Sequence, residues 1–367
     1  MVINIAIGSA SFFNTRALLF PFIRFSKELK ESNIKVNICD PMSGAARDCD
    51  ILILDSKAFR SEWQEREVET LEKISELCGG DHKTLWFNTG DSSGGIQRQV
   101  IDLVDRYFKG QLLRERSLYS KNFYGGRIYT DYYFREDGVR DSAEIYSPVL
   151  TDAQISKLRV SWNLGMNPCM DYWTGIFGRF VRHPRYLRFL RHRLADRGDK
   201  RSKKHGIYPL VNSRMSVNYA RETVSYQRKM IVRQLRRKGI KSGRVKRKTY
   251  FSDLQSCKFA VSPFGWGEVC IRDFEAILCR SILIKPDMSH IETWPDVYLS
   301  GKTYLPFSWD LGEFDEWFED TVVNYSDRED LAEAAFSIYA EYVGKSGAEK
   351  FIEKIDLILQ DLGVGRC

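Results

Sequence analysis

The chain has 367 residues, of which 43% are hydrophobic and 29% charged, with a formal net charge of +7. That length predicts two domains, each with its own core, and the composition is that of a folded globular chain. None of the eight cysteines forms a C-x-x-C pair, and neither they nor the five histidines show zinc spacing, which excludes a zinc-finger class. No apolar run approaches the ~18 residues of a membrane span. Met1 leads straight into the strand-like run VINIAIG, so the reading is a reduced, cytoplasmic protein.

Charge is unevenly placed. Residues 176–248 hold 24 Lys and Arg against three acids, Asp196, Asp199 and Glu222, while the remainder carries 32 basic and 46 acidic residues. This predicts an anionic partner: nucleotide phosphates, an anionic membrane surface or nucleic acid.

In chain order, strand-like runs at residues 3–7, 34–39, 50–54 and 85–87 alternate with helical spacing at 15–32 and 63–77. Alternation of this kind predicts a doubly wound α/β domain over residues 1–170. The first turn, at Gly8, lacks G-x-G-x-x-G, so a dehydrogenase-type dinucleotide fold is not indicated. The polar turn at 88–95 follows a strand and should therefore face the ligand crevice. Asp91 in it is the candidate general base, or else the N-cap of a helix starting near Ile96. Asp131, after the run 127–130, and Asn163 are alternative strand-end candidates. Arg114, Arg116 and Arg127 interleave with Tyr119, Tyr124, Tyr129, Tyr132 and Tyr133, as in an acceptor-sugar groove or a partly exposed strand face.

Residues 172–194 interleave arginine with Ile, Phe and Leu, the pattern of a broken basic amphipathic helix. Either it lies on anionic lipid or it is a solvated connector, spanning 171–206. A second domain is expected over 207–330, with terminal helices at 331–367, the last crossing back to the first domain. Its centre is residues 258–286, KFAVSPFGWGEVCIRDFEAILCRSILIKP. Phe259, Ala260 and Val261 read as a buried strand; Pro263, Gly265 and Gly267 form a turn; Val269, Ile271, Phe274, Ile277 and Leu278 fit a helix face; residues 281–284 form a second strand. The helix N-terminus offers free N–H groups to a phosphate, and the glycines let a ligand approach the backbone. Arg272 and Glu275 share a helix face, one suited to phosphate and the other to sugar or ribose hydroxyls. This is what a nucleotide-sugar site requires.

Pro263-Phe-Gly-Trp-Gly followed by Arg272-x-x-Glu275-Ala276 resembles the donor-site signature of exostosin-like glycosyltransferases of the GT-B type. Asn212-Ser213, with Arg221 and a helix to Leu235, is similar to the segment feeding the donor site of fucosyltransferase-like GT-B enzymes. The resemblance covers residues 207–320. Glu268 and Glu275 have six residues between them where many retaining relatives have seven, and Arg280-Ser281 stands where glycine is usual. The resemblance implies two Rossmann-like α/β domains facing a cleft. It implies an inverting transfer; the arginines would replace a metal at the diphosphate, and the expected reaction is transfer from a nucleotide-sugar donor to a glycan or, given the basic amphipathic segment, glycolipid acceptor, with no cofactor. Taken with the residues' own positions at strand ends and turns, Asp91, Arg272 and Glu275 are expected to be catalytic, and Arg214, Arg221, Ser262, Gly265, Trp266, Gly267, Glu268 and His290 to bind the donor. Arg228 and Lys229 read as surface charge. The rivals are a nucleic-acid-binding protein using residues 176–248, which lack an RNA-recognition signature, and a degenerate GT-B scaffold; no nucleic-acid partner is expected.

Overall fold

A computed structural model describes residues 1–10, 12–167, 211–324, 328–344 and 346–365. The amphipathic segment expected at 172–206, and the strand expected at 207–210, lie outside the described residues.

The first half contains β1 (Val2–Ala6), α1 (Phe13–Arg24), α2 (Ser26–Glu31), β2 (Lys35–Cys39), β3 (Ile51–Asp55), α3 (Arg60–Glu65) and α4 (Glu67–Cys78). It continues with β4 (Lys83–Asn88), α5 (Arg98–Ile101), β5 (Arg106–Lys109), β6 (Gln111–Leu113), α6 (Ile128–Asp137), α7 (Asp152–Ile155) and β7 (Leu158–Val160). Six parallel strands pair in the order β2-β1-β3-β4-β5-β7. The order reverses between β1 and β3, so right-handed crossovers place α1 and α2 on one face and α3 and α4 on the other. All five residues of β3 are buried, as a strand covered on both faces requires. The helix expected at 15–32 is two helices meeting at Phe25, and that at 63–77 divides at Arg66, whose φ of −145° is not helical.

In the second half come β8 (Val211–Asn212), α8 (Glu222–Arg237), α9 (Arg247–Ser256), β9 (Phe259–Val261), α10 (Ile271–Leu278) and β10 (Ile282–Pro286). Then follow β11 (Ile291–Thr293), β12 (Tyr304–Phe307), α11 (Phe314–Val323), α12 (Asp330–Val343) and α13 (Gly347–Asp361). A parallel sheet runs β12-β10-β9-β8. Side chains alternate across it. Phe259, Val261, Ile282, Ile284, Leu305 and Phe307 pack with Ile231, Val232 and Leu235 of α8 and with Phe314 and Phe318 of α11. On the other face Ala260, Leu283 and Tyr304 join Phe274, Ala276 and Ile277 of α10 and Tyr339 of α12. The chain is thus α/β with two Rossmann-like parallel sheets, and the strand–turn–helix–strand unit stands where its sequence placed it.

That second face is continuous with the core of the first half. Gly165 sits so close to the Phe274 ring that a Cβ there would lie 2.5 Å from it, which is why no larger residue fits. Phe351 of α13 packs on Phe22 and Trp162 at ring distances of 5.2 Å. Asp361, at the end of α13, pairs with Arg106 at 2.7 Å and Arg159 at 2.8 Å. Burial opposes its charge, but the two arginines outweigh that and hold its carboxyl below the ordinary range. A two-stranded antiparallel ribbon, β6 with β11, crosses between the halves, pairing Ile291 with Leu113 and Thr293 with Gln111.

This ribbon corrects the reading of the arginine–tyrosine segment. Arg114 donates its N–H to His290 O at 2.8 Å, and Arg116 pairs with Glu292, so both brace the halves. The run at 127–130 is not a strand. It opens α6, whose Tyr129 and Tyr133 are buried at a three-to-four residue helical spacing.

Candidate active site

The C-terminal ends of β4, β5 and β7 enclose a pocket lined by Asn14, Asn88, Asp91, Gln111, Asn163 and Trp162, with Val269 entering from the second half. It is a small, half-open pocket of about 40 Å³. Its amides are largely committed. Asn88 Nδ2 donates to Tyr107 Oη at 2.6 Å and to Gly95 O at 3.0 Å. Asn163 donates to Thr293 Oγ1 at 2.9 Å and Pro295 O at 2.8 Å, and its Oδ1 accepts from Gly165 N. Asn163 is therefore a structural clamp toward the second half.

Asp91 lies on the pocket wall. Asn14 Nδ2 donates to its Oδ1 at 2.8 Å; its Oδ2 has no donor among the described residues. It caps no helix: α5 begins at Arg98, with Gln97 at the cap position. Asp131 is elsewhere, buried in α6, accepting from Tyr124 N at 2.9 Å and pairing with Arg135 at 2.6 Å.

The glycine turn is pressed against the first half. A Cβ on Gly267 would lie 1.6 Å from Asp91 O, so the glycine is demanded by the approach of another backbone. Glu268 is fully buried (0% exposed). It accepts from Ser93 N at 3.0 Å, Ser93 Oγ at 2.6 Å and Gln111 Nε2 at 3.0 Å. Tyr129 Oη donates to Gly265 O, and Arg127 Nε to Trp266 O at 2.7 Å. Trp266 itself is 38% exposed, with the Arg127 guanidinium over its ring. Beneath the turn, Ser262 Oγ donates to Asp273 Oδ1 at 2.5 Å, and Asp273 pairs with the fully buried Lys285 at 3.1 Å. Ser262 and Glu268 thus have their polar atoms engaged by protein.

Beside the turn lies a group of arginines. Arg272, the second residue of α10, is partly buried; its Nη2 reaches Arg214 O at 3.5 Å, and its enclosed Nε has no partner among the described residues. Burial opposes its charge, yet Tyr250, Cys270, Glu275 and Asp273 together hold its pKa above the usual arginine value. Arg228 of α8 is 3% exposed and donates only to carbonyls: Phe264 O, Pro263 O at 3.2 Å and Ser216 O at 3.1 Å. Burial, and then Arg272, pull its pKa down. Neither guanidinium forms a salt bridge with a described carboxylate. Arg214 does, with Asp253 at 3.0 Å, and Arg221 donates to Gly125 O at 2.7 Å. Sequence reasoning set Arg228 aside as surface charge. The signal against that was its spacing, because Val224, Arg228, Ile231 and Leu235 fall on one face of α8 and all are buried.

Glu275 is 6% exposed, accepts from Tyr250 Oη at 2.8 Å and lies 3.7 Å from Arg247. Burial pushes its carboxyl pKa up. His290 rests edge-on against Trp309 at 4.8 Å and Phe264 at 6.0 Å. Neither of its enclosed ring nitrogens meets hydrogen-bonding geometry with a described residue. Burial lowers its pKa, which favours the neutral imidazole.

No protein-family model matches this chain, and no curated protein sequence does. Solved structures align along nearly its whole length, among them the following. Anabaena HepE, in complex with UDP and glucose, is 9% identical over 96% of this chain and 98% of its own, with a TM-score of 0.44. An alpha-glucosyltransferase in complex with UDP and a 13-mer DNA containing a HMU base is 10% identical over 97% and 98%, at 0.42. A glycosyltransferase from Rickettsia africae is 8% identical over 98% of each chain, also at 0.42. At these scores the similarity assigns no activity.

What the site can do follows from its groups. Two guanidiniums without carboxylate partners among the described residues stand near the start of α10, whose own first turn is capped by the buried Asp273. Two residues before that helix, Val269 closes the pocket that Asp91 lines. Among the described residues no three His, Cys, Asp or Glu side chains are grouped to hold a metal ion, and no helix is long and apolar enough to cross a membrane.

Proposed function

We propose that this protein is a GT-B glycosyltransferase that moves a sugar from a nucleotide-sugar donor to a hydroxyl of a glycan or glycolipid acceptor, without a metal and with inversion. The observation that carries the reading is the pairing of the buried Arg228 with the partly buried Arg272, whose enclosed Nε is unpartnered among the described residues. Arg228 is held by carbonyls rather than a carboxylate and Arg272 keeps an enclosed N–H to spare, so an anion placed between them would gain charge-assisted hydrogen bonds. The donor diphosphate supplies that anion, and the two cations stabilise the charge that develops on it as the glycosidic C–O bond breaks. Glu275 exchanges its Tyr250 contact for donor hydroxyls. His290, as a neutral imidazole, donates to or accepts from a sugar hydroxyl. The acceptor oxygen attacks the anomeric carbon and passes its proton to Asp91 Oδ2.

Arg214, Arg221, Ser262, Gly265, Trp266, Gly267 and Glu268 then shape the donor wall, the glycines and Glu268 by fixing the turn against the first half. A glycolipid acceptor would be met at an anionic membrane surface through residues 172–206, on the cytoplasmic side. Calorimetry with a panel of nucleotide sugars tests the core of the proposal. One nucleotide should bind to wild type and not to Arg272→Ala, and no heat with any of them removes the donor site.

A further inference from the structure

Lys109 ends β5 and is fully buried (0% exposed). Its Nζ donates to Asn88 Oδ1 at 3.1 Å and to Gly95 O at 2.8 Å. Those acceptors are the first and last residues of the turn that carries Asp91 and Ser93. No carboxylate lies within salt-bridge distance of Nζ among the described residues. The charged groups that face it are Glu268, Asp91, Lys57 and Arg127. A buried ammonium without an ion pair opposes folding, and a methionine of similar length would fill the same space with no desolvation. Packing alone does not account for a lysine here.

The turn it holds is the one that meets the second half. Its Asp91 O touches Gly267, and its Ser93 supplies two of the three hydrogen bonds to Glu268. We infer that Lys109 is a positioning residue for transfer: its ammonium clasps the turn at 88 and 95 and fixes Asp91 against the glycine corner. This rests on the glycosyl-transfer reading for its consequence, though not for its geometry.

Burial pushes the ammonium pKa down to about 7, against the pull of Glu268 and Asp91. The clasp is therefore charged below that pH and neutral above it. Global stability runs the other way. A lysine whose folded pKa lies below its unfolded value leaves a burial penalty fully present below about 7, which is relieved as pH rises toward the unfolded value of ~10.4. Removing the charge should then raise the melting temperature at acidic pH while loosening the turn.

The experiment compares wild type with Lys109→Met from about pH 6 to about pH 9, spanning the neutral range. It reads amide hydrogen exchange in residues 89–95 corrected for intrinsic rate, melting temperature, and the transfer rate. Wild-type exchange in the turn should accelerate about tenfold across that range, as loss of a charge-assisted bond implies. The variant should exchange at the fast limit throughout and melt higher near the acidic end. Its transfer should be slow and lack the alkaline fall of wild type. The wild-type series stands alone should the variant not fold. Exchange that is independent of pH in wild type, or a variant that melts lower at acidic pH, overturns the inference. If the turn titrates but no donor supports transfer, the clasp stands and the glycosyl-transfer reading falls. If transfer shows one and the same pH profile in both proteins, the clasp falls and that reading stands.

Discussion

Glu268→Ala separates a strut from a ligand. In the structure the carboxylate is wholly enclosed and holds Ser93 N, Ser93 Oγ and Gln111 Nε2, all from the first half. Truncation removes three hydrogen bonds to a charged group and strands the two Ser93 donors, Gln111 Nε2 keeping its bond to Asp91 O, while regaining the desolvation of the carboxylate. Breaking a buried polar network by removing one partner costs about 3–5 kcal/mol. For a chain of 367 residues, at ~2.1 cal/mol/K of unfolding entropy per residue, each kcal/mol lowers the melting temperature by ~1.3 °C, so a drop of about 4–6 °C is expected. Glu268→Gln keeps the shape but turns an N–H₂ toward a donor, and should cost about 1–3 kcal/mol. The assay is thermal unfolding of both variants, with donor affinity by calorimetry at a temperature where each is folded. An unchanged melting temperature joined to lost donor affinity would refute the strut and make Glu268 a direct donor ligand.

Arg272→Ala should lower kcat/KM by about 100-fold or more, the usual loss for one group that stabilises developing charge, with the protein still folded at the assay temperature. Unchanged turnover with a nucleotide sugar sinks the donor-site assignment. Asp91→Asn should cut kcat by about 100- to 10,000-fold and leave nucleotide affinity intact, since the amide keeps its place beside Asn14 but accepts no proton. Wild-type rates in that variant take Asp91 out of the chemistry. For the basic segment 172–206, sedimentation with liposomes should require anionic lipid and weaken with salt. Equal pelleting on neutral vesicles, or none, counts against the membrane partner.

The central βαβ unit was legible because everything that makes it is local. Phe259 to Val261 are continuously apolar, two glycines and a proline follow, and helical spacing resumes at once. The joins between the halves were not legible, since their information is split between distant segments. Ribbon strands β6 and β11 are three residues each and pair across the length of a domain. Nothing near Glu268 announces Ser93, and nothing near Lys109 marks a strand-end lysine as enclosed. Helix α6 was misread for a different reason. Its tyrosines favour strands intrinsically, but packing of Tyr129 on Phe264 and of Tyr133 on Tyr226 decided for the helix. Arg228 lay between these cases. Its periodicity placed it inward, but the three carbonyls that make burial tolerable come from loops that local pattern does not position. Of the residues read from sequence, Asp91, Arg272, Glu275 and His290 keep chemistry-capable atoms unengaged or reversibly engaged, whereas Asn163 and Asp131 are held in the scaffold.

The β6–β11 ribbon and the crossing of α13 bear on engineering. Where a hinge alone separates two substrate-binding modules, chimaeras are made by cutting at the hinge and exchanging one module. In this chain a graft of the second half would have to import its own ribbon partner, a residue to replace Ser93, and a terminal helix matched to Phe22 and Trp162. Modular exchange is closed to it, and altered specificity has to come from point changes in the turns around residues 88–95 and 263–272.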